Sequence, residues 1–129
     1  GAEAMLDDLK TRGIYLGVVS NKNGDTLRQE VAHLGWDGYF GRVVGAFDAV
    51  RDKPAPDPVH LALAGSGIAC GPDVWFAGDT DIDLECAAAA GCIPVLVRAE
   101  PPGDGEFDEY GPAHYVRSCL ALSNLMRRL

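Results

Sequence analysis

Short apolar runs alternate with amphipathic stretches along this chain, and the two periods predict two kinds of element. Met5, Leu6 and Leu9 form the apolar stripe of a short helix that stops near Gly13. Residues 14–19 (IYLGVV) are a short, mostly apolar run, which suits a strand covered on both faces. Residues 21–25 (NKNGD) read as a loop and N-cap. The helix after them carries Leu27, Val31 and Leu34 and ends at Gly35. Arg42-Val43-Val44 is the next strand. Residues 51–58 (RDKPAPDP) exclude regular structure before their last proline, where a helix begins with Val59, Ala62 and Leu63 facing inward. Residues 74–77 (VWFA) predict a strand, and residues 82–90 an alanine-rich helix closed by Gly91. Residues 93–97 (IPVLV) predict a further strand, whose proline marks its first residues or a sheet edge. Residues 100–112 form a polar loop, read as a surface excursion. His114, Tyr115 and Val116 make a last strand, and Leu122, Leu125, Met126 and Leu129 the stripe of a closing helix. Strand and helix in alternation predict an α/β fold with a parallel sheet and helices on both faces.

Composition narrows the function classes. The 129 residues are 47% hydrophobic and 23% charged, ordinary values for one globular domain spanning 1–129. Eleven basic against 19 acidic residues give a net charge of −8. Binding to nucleic acid needs clustered Lys and Arg on the phosphates, so that class is not expected. The one basic pair, Arg127-Arg128, closes a helix and offsets its dipole. No run approaches the roughly 20 apolar residues of a membrane span, and the first eleven residues lack the basic start and apolar core of a signal peptide. Cys70, Cys86, Cys92 and Cys119 contain no C-x-x-C pair, so they read as reduced thiols of a cytoplasmic protein rather than zinc ligands. His33, His60 and His114 are scattered and read as surface or packing residues.

Candidate chemistry lies where the strands end, because ligands of open α/β sheets bind beyond the carboxyl ends of the strands. After IYLGVV come Ser20 and Asn21; after the second strand, across a loop, comes Lys53; after VWFA come Gly78, Asp79, Thr80, Asp81, Ile82 and Asp83. A hydroxyl, an ammonium and a group of carboxylates at one sheet edge suit a phosphate and a divalent metal. Ser20 can donate to a phosphate oxygen, assisted by N–H groups at the start of the next helix. Lys53 supplies a fixed positive charge for phosphoryl oxygens, and its Lys-Pro bond disfavours helix there. Asp79 and Asp83, four apart, can hold a hard cation such as Mg²⁺. Each feature also has a plain structural reading: Ser-Asn as a turn, Lys-Pro as a solvated loop, Asp-Thr-Asp as a helix cap. Asp81 keeps the cap role, and Asp7 and Asp8 read as the solvated face of the first helix.

VVSNK, DKPAPDP and FAGDTDIDLECAAAAG, in this order and at these separations, resemble motifs II, III and IV of the haloacid dehalogenase-like (HAD) hydrolases. The likeness runs over essentially the whole chain and points to their phosphoglycolate phosphatase-like branch. It implies a Rossmann-like, three-layer α/β/α fold and a Mg²⁺-dependent phosphomonoester hydrolase acting on a small phosphorylated metabolite. By the same resemblance Ser20 and Lys53 bind the transferring phosphoryl group with Asn21 beside them, and Asp79 and Asp83 hold the metal. The family's motif I, an apolar strand ending in Asp-x-Asp, does not occur in these residues, nor does the cap that follows it. Asp79-Thr80-Asp81 is no substitute, since a glycine precedes it and an alanine-rich helix follows. The first motif I Asp is the nucleophile, so the resemblance implies that 1–129 alone is inactive. It also implies that the sheet lacks its central strand, leaving the strands before Ser20 and Gly78 with open edges for a partner chain or a second copy. Two rival readings remain on the residues: a non-catalytic phosphate-binding or assembly module on the same fold, and a signalling receiver domain. In a receiver the acids precede the lysine; here they follow it.

Overall fold

The computed structural model describes residues 1–128. Its elements run α1 (Ala2–Thr11), β1 (Gly17–Asn23), α2 (Gly24–His33), β2 (Arg42–Ala46), α3 (Asp57–Leu63), β3 (Trp75–Gly78), α4 (Asp81–Ala90), β4 (Ile93–Val97), β5 (His114–Val116) and α5 (Cys119–Met126). Every expected helix and strand is present. Leu129, expected on the closing stripe, lies outside the described residues.

All the strand pairs are parallel, in two separate ladders: β1 beside β2, and β3-β4-β5 in that order. Parallel neighbours need crossover helices. Here α2 packs against β1 and β2, α3 against β1, β2 and α4, α4 against β3 and β4, and α1 against α5. The ladders are therefore held side by side by helices. Among the described residues β1 and β3 do not pair, as the sequence anticipated. No residue of either strand is fully buried, and Ala77 is exposed. Between them runs an apolar cavity of about 450 Å³ lined by Leu6, Leu9, Leu16, Gly17, Trp75 and Ala77, among others.

Apolar burial concentrates around the three-stranded ladder. On one side Val59 of α3 meets Cys86, Ala87 and Ala90 of α4 with Cys92. On the other, Val95 and Val116 meet Leu122 of α5, with Met5 of α1 against them. Small residues on α4 let it lie close to the sheet, and Gly91 ends it in the left-handed conformation at φ 76°.

Two sequence expectations are corrected, and one pair of alternatives is resolved. Of the two readings of Pro94 the first holds: it is the second residue of β4 and marks the strand's start, not an edge, since β4 lies between β3 and β5. Its carbonyl accepts from Ala113 just before β5 begins, so the missing N–H faces a point below the first β5 ladder partner. Asp8 is not a solvated acid; it accepts from Ser123 Oγ at 2.8 Å and from Arg127 at 3.0 Å, tying α1 to α5. Residues 14–16 fall outside β1, which extends instead through Asn23, because β2 begins only at Arg42.

Candidate active site at the carboxyl ends of β1 and β3

β1 leaves its ladder after Val19 pairs with Val44 and rejoins it where Asn23 meets Ala46. The residues between, Ser20, Asn21 and Lys22, bulge outward, a device that re-aims side chains beside sites. Ser20 is half-buried. Its Oγ accepts from the Lys22 N–H at 3.1 Å, which leaves its own O–H to donate elsewhere. Asn23 ends the bulge by capping α2, its side chain accepting from the Thr26 N–H.

Asn21 clasps the loop after β2. Its Nδ2 donates to the Lys53 carbonyl at 3.1 Å, and the Lys53 N–H donates to its Oδ1 at 3.2 Å. The amide that the sequence placed beside phosphate thus holds the lysine backbone. The Lys53–Pro54 peptide is cis. Deeper in the loop the Cys86 thiol donates to the Ala55 carbonyl at 3.3 Å. Burial pushes that thiol up to about 11, so it stays protonated. At the loop's other end Asp48 accepts from Arg28 and from the Gly45 N–H, and Asp52 accepts from the Phe47 N–H.

Lys53 reaches across to α4. Its Nζ lies 2.5 Å from Asp83 Oδ1, with both side chains largely buried. Asp83 Oδ2 accepts from the Asp79 N–H at 3.1 Å, the Thr80 N–H at 3.3 Å and Thr80 Oγ1 at 3.1 Å. Thr80 in turn accepts from the Asp83 N–H, completing a capping box. Burial works against the charged carboxylate, but the Lys53 ammonium and the Thr80 and Asp79 donors outweigh it and hold Asp83 below its ordinary value. Gly78 makes this possible: a Cβ there would collide with the Asp83 carboxylate. Asp79, by contrast, is exposed at the end of β3. Asp81 points elsewhere, accepting from the adjacent Ile82 N–H.

The predicted residues are thus linked by contact: Ser20 adjoins Asn21, Asn21 holds Lys53, Lys53 pairs with Asp83, and Asp83 grips the backbone of Asp79. Thr80 was visible in the sequence only as a cap, and the T-x-x-D spacing carried its second role of fixing Asp83. Cys86 and Asp48 gave no local signal. Among the described residues no group of three or more His, Cys, Asp and Glu is placed to hold a metal. Mg²⁺ asks for less, one or two carboxylates with water and phosphate oxygens completing its shell, and Asp79 with Asp83 behind it fits that donor set.

The family model of the haloacid dehalogenase-like hydrolases matches residues 1–97, three of the four chain quarters and all of the site. The chain belongs to this family. A phosphoglycolate phosphatase of Pectobacterium atrosepticum is 34% identical over 90 residues, covering 70% of this chain and 38% of that protein. The Escherichia coli K12 phosphoglycolate phosphatase is 37% identical over the same length, covering 35% of its own. These relatives place the chain in the phosphoglycolate phosphatase-like branch, and the chain spans well under half of their length. A HAD-superfamily hydrolase structure from Ehrlichia chaffeensis superposes with a TM-score of 0.86 at 32% identity, covering all of this chain and 57% of that one. A structure described as a β-phosphoglucomutase from Thermotoga maritima shares the fold with a TM-score of 0.86 at 19% identity.

Proposed function

We propose that the protein hydrolyses a small phosphomonoester with Mg²⁺ through an aspartyl-phosphate whose nucleophile lies on a segment outside these 129 residues. The observation that carries this reading is the buried Lys53–Asp83 pair beside exposed Asp79, with Lys53 clasped by Asn21. In it Ser20 donates to a phosphoryl oxygen, and Lys53 neutralises charge that grows on the oxygens in the transition state. Asp83 keeps the lysine charged and aimed. Asn21 fixes the loop from which Lys53 reaches, and its second Nδ2 hydrogen is left to donate to phosphate. Asp79, with Asp83 behind it, would hold the Mg²⁺, which when bound draws charge from the phosphate and the nucleophile. None of these side chains is placed to attack phosphorus, so 1–129 alone is expected to be inactive.

The nucleophile-bearing segment enters, on this reading, as a parallel strand between β1 and β3, from the same polypeptide, a partner chain or a second copy. Two unpaired edges flanking an apolar cavity support it, since open edges recruit strands and inner parallel strands are normally buried. The protein acts on a soluble metabolite in the cytoplasm.

The test is phosphate release from a panel of phosphomonoesters by the protein in its full encoded length. Activity should require Mg²⁺, and Lys53→Ala should lower kcat/KM by about 10²–10³-fold, the scale for removing one transition-state donor. Phosphate binding without turnover of any ester would favour the non-catalytic module instead.

A further inference from the structure

Acidic residues outnumber basic ones along this chain, 19 to 11, and its arginines are engaged almost throughout. Arg12, Arg28, Arg51, Arg98 and Arg127 each pair with a carboxylate, and Arg42 donates to the Ala64 carbonyl. Arg117 and Arg128 differ. Both are exposed, and among the described residues neither side chain makes an ion pair or a hydrogen bond. Both line one groove of about 480 Å³ between β5 and α5, with His114, Asn124 and Leu125 among its other walls, and no Asp or Glu lines it. β5 is the outer strand of its ladder, paired with β4 alone, so this side of the sheet is open. Ala121, Asn124, Leu125 and Arg128 recur at spacings of three and four, which puts them on one face of α5 and of the turn that ends it. The neighbouring arginines therefore part: Arg127 turns to Asp8 on α1, and Arg128 to the groove. On the strand side, the His114 ring stacks on Trp75 at 4.8 Å and 24°, which fixes its place in the wall.

We propose that this groove is a second anion site, which takes the phosphate group of a small organic phosphate. A guanidinium presents a planar fork of N–H donors that matches phosphate oxygens two at a time. Two such forks without carboxylate partners, in a chain of net charge −8, leave positive charge available to an incoming anion. The Asn124 amide and the protonated nitrogen of the His114 ring add neutral donors. Leu125, Ala121 and Val116 supply apolar surface for the organic part of the ligand, and the volume falls within the roughly 300–1,000 Å³ that small-molecule sites occupy. The groove lies on the far edge of the three-stranded ladder, with β4 between it and β3, so it is separate from Lys53 and Asp79. Because both arginines are exposed, solvent and salt screen them, and binding weakens as ionic strength rises.

Occupancy of the groove is independent of turnover at Lys53 and Asp79, and its test needs no phosphatase activity. Phenylphosphonate carries an anionic phosphonate on an apolar ring and has no ester bond to hydrolyse. It is titrated into the full-length protein in metal-free buffer and followed by amide NMR spectra. Saturable shifts are expected at His114, Arg117, Asn124 and Arg128, with an affinity that falls as NaCl is added. Combining Arg117→Gln with Arg128→Gln should weaken that binding at least about tenfold, the scale for losing one charged hydrogen bond, and leave any response at Ser20 and Lys53 as it was. Both side chains are exposed, so the double variant should keep the fold, which the rest of its spectrum verifies. No response at the groove would overturn the proposal, whether or not Ser20 and Lys53 respond. Groove binding of unchanged affinity in the double variant would overturn it equally.

Discussion

Asp83 is the residue on which the site's order depends. One carboxylate oxygen carries the Lys53 ammonium and the other carries three donors from Asp79 and Thr80. Removing one member of a buried, hydrogen-bonded pair leaves the other charge without compensation, which typically destabilises by about 3–5 kcal/mol. Asp83→Ala should fall in that range in a denaturant titration with unchanged Mg²⁺ concentration. The pH dependence has a definite sign. The folded-state value of Asp83 is depressed below 3.8, so its stabilisation is fully present above the unfolded value and is lost as pH falls through the folded one. Acid unfolding of the wild type should therefore be steeper below about pH 4 than that of Asp83→Ala. How far these roles could be read from sequence differs by residue. Ser20, Lys53, Asp79 and Asp83 were legible because each follows an apolar strand and strand ends converge in a parallel sheet. The Asn21–Lys53 clasp was not, because it joins residues 32 apart through a loop whose path no local pattern encodes. Asp8 was misread because its partners, Ser123 and Arg127, lie at the far end of the chain.

Among the elements, α4 connects sequence most directly to site. Thr80 starts it with a capping box, and Gly91 stops it in a conformation that L side chains rarely adopt. The same cap that begins the helix presents Asp83 to Lys53, so helix stability and site geometry are coupled. Thr80→Ala should destabilise by about 1 kcal/mol, the usual worth of an N-cap. In the full-length protein it should also lower the kcat of the proposed phosphatase reaction, because Asp83 loses a donor that fixes it; a thermal melt and a kinetic assay on the same variant separate the two effects. Loss of stability with unchanged kcat would confine Thr80 to capping. Element types were readable throughout because helix and strand periods were clean. Boundaries were not, since β1 extends past its apolar run through a polar bulge that only its pairing with β2 reveals. Pro94 likewise left two readings open, the start of a strand or an edge, and the structure has the first. Its tolerance depends on where β5 starts, which is a fact about a neighbour.

At the scale of the molecule, two ladders held together by helices leave an apolar cavity where a sheet would ordinarily continue. The three motif-bearing stretches come from both ladders, so the site exists only because α3 and α4 pack across the divide and bring Lys53 from one side to Asp83 on the other. The sequence disclosed the order of the motifs, and with it the family. The separation of the two ladders was an inference from the resemblance and needed coordinates to become visible. The most direct measurement is a crystal structure of the full-length protein soaked with Mg²⁺ and a planar phosphoryl mimic such as vanadate. The mimic should lie between Ser20 Oγ and Lys53 Nζ with the metal on Asp79. Vanadate bound away from Ser20 and Lys53, with no metal at Asp79, would contradict the proposed site.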